Sequence, residues 1–242
     1  MKLFYRPWVI VVWLGWSLVA AGADPAAGDR GGAGTNATSH TGAKVVALPS
    51  SEPARRLFLE GNEAFARNDR KTAAARYRQV LELEPNNVTA LSNLGVTCFH
   101  LGQLDEAEKI LEKAVRLSPN NSPAHTILGV VSLNRNRLTD AFAELTWAVS
   151  LDSANAEAHN YLGIVLSEKG EGAEAEQEMR KAIEINPRYT DAHFNLAVLY
   201  ARQKPARNEL ARYHYRKALD LGAPPDPQLE STLKSAAPAA GK

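Results

Sequence analysis

The chain of 242 residues carries 28 basic and 27 acidic side chains, and a net charge of +1 offers no global attraction for nucleic acid. Apolar residues at 45% and charged ones at 23% suit a folded, water-facing body. Cys98 is the single cysteine, which excludes an intramolecular disulfide and a cysteine-built metal cluster, so packing must hold the fold together.

The first 23 residues form a unit of their own. Lys2 and Arg6 give a basic opening, Trp8 to Ala20 an apolar run broken only by Gly15 and Ser17, and Ala21-Gly22-Ala23 a small-residue cleavage segment. The apolar run is shorter than the roughly 20 residues of a membrane-crossing helix. The expectation is an export signal cleaved after Ala23, placing the protein in the periplasm or outside the cell; a retained anchor over residues 8–20 is the alternative. Residues 24–51 are rich in Gly, Ala, Ser and Thr, with only Val45-Val46-Ala47-Leu48 as an apolar patch, and read as a flexible linker. Asn36-Ala37-Thr38 and Asn87-Val88-Thr89 match the short glycosylation pattern, and we read both as chance matches.

Beyond the linker the chain repeats itself. Leu94-Gly95, Leu128-Gly129, Leu162-Gly163 and Leu196-Ala197 stand 34 residues apart, as do Ala73, Ala107, Ala141 and Ala175. Pro85, Pro119 and Pro187 keep the same register, with Ser153 in the remaining place. Within one period, Leu91, Leu94 and Cys98 share a face of a first helix, and Leu104, Ala107, Ile110, Leu111 and Ala114 share a face of a second, with Gly102 between them. Gly95 and Ala107 are small enough to let the two backbones approach. A period of this length built from two helices predicts a solenoid of antiparallel helix pairs.

Five units are expected over residues 52–222: 54–87, 88–121, 122–155, 156–189 and 190–223. The fifth needs two extra residues around Gln203-Lys204-Pro205, which predicts a longer turn. After Gly222, the proline-rich Ala223 to Pro227 interrupts the pattern; Gln228 to Lys234 is expected to form a short cap ahead of a frayed tail within residues 224–242.

Leu94-Gly95, Ala107, Leu111, Ala114 and Pro119 stand where the tetratricopeptide repeat family has its signature residues, and the chain closely resembles that family. It departs from it at Leu91, His125, His159 and His193, where an aromatic is usual, and at Cys98, Ser132 and Leu166. The resemblance implies an all-α, right-handed superhelical solenoid whose first helices line a concave groove. It places Phe58, Asn62 and Phe65 of the first unit, and Ser92, Val96 and Phe99 of the second, in that groove. Thr126, Val130 and Leu133 follow from the third unit, Glu157, Asn160 and Ile164 from the fourth, and Asp191, Phe194 and Val198 from the fifth. Val96, Val130, Ile164 and Val198 would form an apolar spine suited to a peptide or protein partner, although such side chains can equally pack between neighbouring helices. Family members that hold an acidic chaperone tail use groove lysines and asparagines; here the matching places hold Ser92, Val96, Thr126, Val130 and Asn160, which excludes a cationic clamp.

No reaction chemistry is legible. The chain has no glycine-rich phosphate loop ending in Lys-Ser or Lys-Thr, no His-Glu-x-x-His and no nucleophile elbow. His125, His159 and His193 recur at the period, but stacked helices about 8–10 Å apart cannot share one zinc at bonds of about 2.0–2.1 Å, so these rings are expected to pack. Glu106, Glu108, Glu174, Glu176 and Glu178 are expected on a solvated face, with Asp105 and Lys109 as an i,i+4 ion pair. The basic residues of the first unit, Arg55, Arg56, Arg67, Arg70, Lys71, Arg76 and Arg78, are interspersed with acids and lack the interleaved aromatics that stack bases. The expectation is a non-catalytic scaffold without cofactor or metal, binding a protein or peptide, with assembly of an envelope complex through its outer faces as the alternative.

Overall fold

The computed structural model describes residues 48–235. The expected signal segment, the linker before Leu48 and the tail from Ala236 lie outside them. Among the described residues there are eleven helices and no strand, and none of the helices is long and apolar enough to cross a membrane. They are α1 Glu52–Ala66, α2 Arg70–Leu83, α3 Val88–His100, α4 Leu104–Leu117, α5 Ser122–Asn134, α6 Leu138–Leu151, α7 Ala156–Lys169, α8 Gly172–Ile185, α9 Thr190–Arg202, α10 Asn208–Asp220 and α11 Pro227–Ser235. The first ten pair into five hairpins that stack into a superhelical solenoid.

Each of the first four hairpins turns on one left-handed residue at the repeat interval: Asn68 (φ 64°), Gly102 (72°), Asn136 (58°) and Gly170 (87°). Only glycine and, at modest cost, asparagine adopt this backbone readily, so the residue type and the turn agree. The fifth hairpin has no such residue. Its helices are joined by the five residues 203–207, matching the expected longer turn, and its Lys204–Pro205 peptide is cis.

Within a hairpin the helices meet at small residues. A Cβ built on Gly95 would lie 2.5 Å from Leu111 Cγ, and one on Gly129 or Gly163 would lie 2.6 Å from Leu145 Cγ or Met179 Cγ. Ala73, Ala107, Ala141, Ala175 and Ala211 are wholly buried on the facing helices. Leu111 and Leu145 are buried completely too, each worth about 1.5–3 kcal/mol of apolar transfer.

Between hairpins the joints are polar and repeat as well. Asn87, Asn121 and Asn155 cap α3, α5 and α7, accepting from the backbone N–H of Ala90, Ala124 and Ala158. The amide of Asn121 then donates back to Ser92 Oγ, and that of Asn155 to Ser122 Oγ and Thr126 Oγ1, all at 3.1 Å. Asn87, one of the two glycosylation matches, donates to Glu84 instead.

The acidic residues of the second helices depart from expectation. Asp105 pairs with Arg135 of the next unit rather than with Lys109, and Glu108 binds Arg135 and Arg137. Arg78 reaches Glu106 at 2.7 Å, and Glu176 accepts from Arg207 at 2.5 Å and from the Tyr200 hydroxyl at 2.8 Å. These carboxylates bind side chains of an adjoining repeat, and of the five glutamates expected on a solvated face Glu174 alone is exposed.

The two ends are closed. At the amino end the last linker residues are docked rather than free: Pro49 is buried, and Glu84 accepts from Ser50 Oγ and Ser51 N–H, both at 2.8 Å. At the carboxyl end α11 buries Leu229 and Leu233 against α9 and α10, and Asp226 caps it by accepting from Leu229 N–H at 2.7 Å.

Candidate partner-binding surface

The backbones of the first helices α3, α5, α7 and α9 approach one another across successive repeats, whereas those of the second helices pack chiefly against first helices and, at the end, α11. The odd-numbered helices therefore make the inner layer, whose open side is the concave face. The thirteen residues expected to line it fall into two groups.

Phe58, Thr126, Val130 and Asn160 are at most 1% exposed, and Val96 is 4% exposed. Phe65, Phe99 and Leu133 are buried too, at 9%. These residues belong to the core, so the expected apolar spine is closed over its first half, at Val96 and Val130. Asn62, Ser92, Ile164, Phe194 and Val198 remain half-buried. The polar members are engaged within the chain. Asn62 Oδ1 accepts from the Tyr77 hydroxyl at 2.8 Å and from Asn93 at 3.2 Å, Ser92 Oγ donates to Val88 O, Thr126 Oγ1 donates to Ser122 O, and Asn160 Oδ1 accepts from Asn195 at 3.0 Å.

At the amino end an aromatic group closes the face. The Phe65 ring stands edge-on to His100 at 5.8 Å and carries the Arg70 guanidinium 3.8 Å above it, while Phe99 meets His100 at 5.7 Å. Burial, with the nearby Arg70 charge, pushes the His100 ring down to about 4.

The half-buried apolar side chains of the face lie at the other end, Ile164 on α7 and Phe194 and Val198 on α9. Glu157 and Asp191 occupy equivalent places one repeat apart at the start of these helices, close to the buried phenol of Tyr161 and to Tyr189. Burial pushes the Asp191 carboxyl up to about 6 and both phenols well above their ordinary value. Tyr189 holds the place of the capping asparagines of the earlier units, and no side chain caps α9. This end of the face combines the desolvated Asp191 carboxyl with half-buried apolar side chains.

The periodic histidines are buried, as packing residues are, but they are also bonded. His125 forms hydrogen bonds with Glu144 Oε2 through Nδ1 at 2.6 Å and with Pro119 O through Nε2 at 2.9 Å. His159 makes the same two bonds, to Glu178 Oε2 at 2.5 Å and Ser153 O at 3.1 Å. The His159 bond, outweighing burial and aided by Lys181, holds the Glu178 carboxyl below the usual range. In the fifth unit His193 meets His214 at 3.0 Å, Nδ1 to Nδ1, and Pro187 O at 3.3 Å. Two histidines one repeat apart with two glutamates one repeat apart were the available signal, visible only when both registers are laid side by side. Among the described residues no three His, Cys, Asp or Glu side chains converge as metal ligands would.

Models of the tetratricopeptide repeat match residues 58–122 and 156–189. The crystal structure of MamA is 30% identical over 66% of this chain and 93% of its own, with a TM-score of 0.55. YrrB, described as a TPR protein with an unusual peptide-binding site, is 29% identical over 75% of this chain and 92% of its own, with a TM-score of 0.56. TTC0263, a thermophilic TPR protein of Thermus thermophilus, shares the fold at a TM-score of 0.61 and 23% identity, over 76% of this chain and 98% of its own. The chain belongs to the tetratricopeptide repeat family. Its fold and its neighbours are those of a protein-interaction scaffold.

Proposed function

We propose that the protein is an exported, non-catalytic scaffold that holds a protein or peptide partner on its concave face, with the contact centred on α7 and α9. The observation that carries this reading is the contrast along that face. The first half is closed by packing, while Ile164, Phe194 and Val198 stay half-buried beside the desolvated Asp191 carboxyl. A partner that covers them gains apolar burial, and a basic side chain near Asp191 restores the solvation lost there. Lys2, Arg6 and the apolar run from Trp8 to Ala20 support export.

Phe194→Ser and Val198→Asp variants that keep the native helicity are expected to lose the partner, whereas Trp147→Ser on the outer side retains it. Equal partner recovery by all three would overturn the concave reading. Fractionation with N-terminal sequencing tests export: a mature chain beginning after Ala23 supports it, and an intact cytosolic Met1 contradicts it.

A second reading has its own observation. Leu83, Leu117 and Ile185, each closing a second helix, are 52%, 42% and 39% exposed at multiples of the repeat interval. Such an apolar edge suits lateral assembly with other envelope components. Concentration-dependent self-association abolished by Leu117→Lys supports this role.

A further inference from the structure

The same two structural positions are filled differently along the array. In the second unit they hold the apolar pair Leu91 and Ile110, in the third and fourth His125–Glu144 and His159–Glu178, and in the fifth His193–His214. A histidine facing a carboxylate gains an ionic hydrogen bond when protonated. A histidine facing a second histidine does not. With Nε2–H of His193 donating to Pro187 O, the 3.0 Å contact between the two Nδ1 atoms holds one hydrogen, donated by His214 and accepted by His193. A proton added at His193 Nδ1 sets a second N–H against that of His214, and one added at His214 Nε2 keeps the shared bond but charges a buried ring with no carboxylate bonded to it.

The surroundings do not absorb that charge. The two rings are 6% and 8% exposed, and His214 lies against Tyr200 of α9 and Tyr213 of α10. From α8, Arg180 and Glu184 line the same cavity as His214, and Glu176 acts at longer range while committed to Tyr200 and Arg207. Lys217 of α10 adds a further positive charge near His193. Among the described residues no carboxylate is hydrogen-bonded to either ring.

We propose that the His193–His214 contact is an acid-released latch that frees the α9–α10 hairpin, with its α11 cover, while the third and fourth hairpins stay closed. Burial is the chief cause that lowers both rings from their ordinary value, His214 to about 4, and the neighbouring histidine adds to it there. For a base so depressed, stability is full above the unfolded value near about 6.5 and is lost as pH falls toward about 4. The latch therefore begins to release below pH of about 6.5. The α9 residues Phe194 and Val198 would move with it, although the inference stands whether or not they bind a partner.

Hydrogen exchange of the full chain, resolved by peptide and corrected for intrinsic rate, tests it at pH 7.5 and 5.0. Protection across α9 and α10 is expected to fall at least about tenfold at pH 5.0, with α5–α8 unchanged. His214→Glu, which recreates the pairing of the third and fourth units, and the double change His193→Leu with His214→Ile, which recreates that of the second, are each expected to abolish the fall. Equal loss in α5–α8, or an undiminished fall in whichever variant folds, would overturn the proposal, as would unchanged α9–α10 protection in the native chain.

Discussion

Gly129 on α5 and Leu145 on α6 meet so closely that a methyl group on the glycine would stand 2.6 Å from Leu145 Cγ. No real Cβ tolerates that distance, so the two helices must part or Leu145 must move. Gly129→Ala gains about 1 kcal/mol of helix propensity but incurs overpacking of about 1–3 kcal/mol, a net loss of stability. Gly172 at the start of α8 has nothing within 4 Å of its would-be Cβ, so Gly172→Ala should stabilise by up to about 1 kcal/mol. Urea denaturation of the two variants should show shifts of opposite sign.

Asn155 serves two repeats at once, accepting from Ala158 N–H and donating to Ser122 and Thr126. Asn155→Ala should lose about 1 kcal/mol for the cap and about as much again for the deserted hydroxyls. Asn155→Asp keeps the acceptor and loses the donors, so its melting temperature should fall between those of the native chain and the alanine variant.

Asp191 is held against the interests of stability. Its carboxyl is pushed up to about 6 by burial, so the charged form weakens the fold above that pH, and the penalty fades as pH falls toward the ordinary 3.8. Asp191→Asn should stabilise the protein at pH 7.5 by on the order of 1–2 kcal/mol, with the gain gone by about pH 4. The same variant should weaken partner binding, the expected trade where a charge is kept for recognition.

Glu84 shows the reverse sign. Hydrogen bonds from the Ser51 backbone, Asn87, and the hydroxyls of Ser50 and Ser51 hold its carboxyl down at about 2, against 4.5 ordinarily, outweighing burial. The docking of residues 48–51 is therefore fully supported above about pH 4.5 and is lost as pH falls through about 2. Glu84→Gln should bring fraying to neutral pH, seen as faster proteolysis at residues 48–52 with the hairpins still protected.

The hairpins, their register and the enlarged fifth turn were legible because Leu-Gly, Ala and Pro recur at positions where only packing or backbone geometry selects them. The exposure of Val96 and Val130 was not, since it depends on how far each hairpin rotates on the last, and no single period encodes that rotation. The pairing of Asp105 with Arg135 escaped for a related reason: helical spacing offered Lys109 on the same helix, and the competing partner lies 30 residues away. His159 and Glu178, 19 residues apart, belong to different helices and are joined only by the hairpin fold.

The central claim is that partners sit on the inner layer at α7 and α9. Its most direct test is photo-crosslinking of the full chain carrying benzoylphenylalanine in place of Val198 or, separately, of Trp147, which is 50% exposed on α6. The account predicts a discrete partner adduct from position 198 and none from position 147. Adducts from 147 alone would contradict it and move the binding surface to the outside of the solenoid.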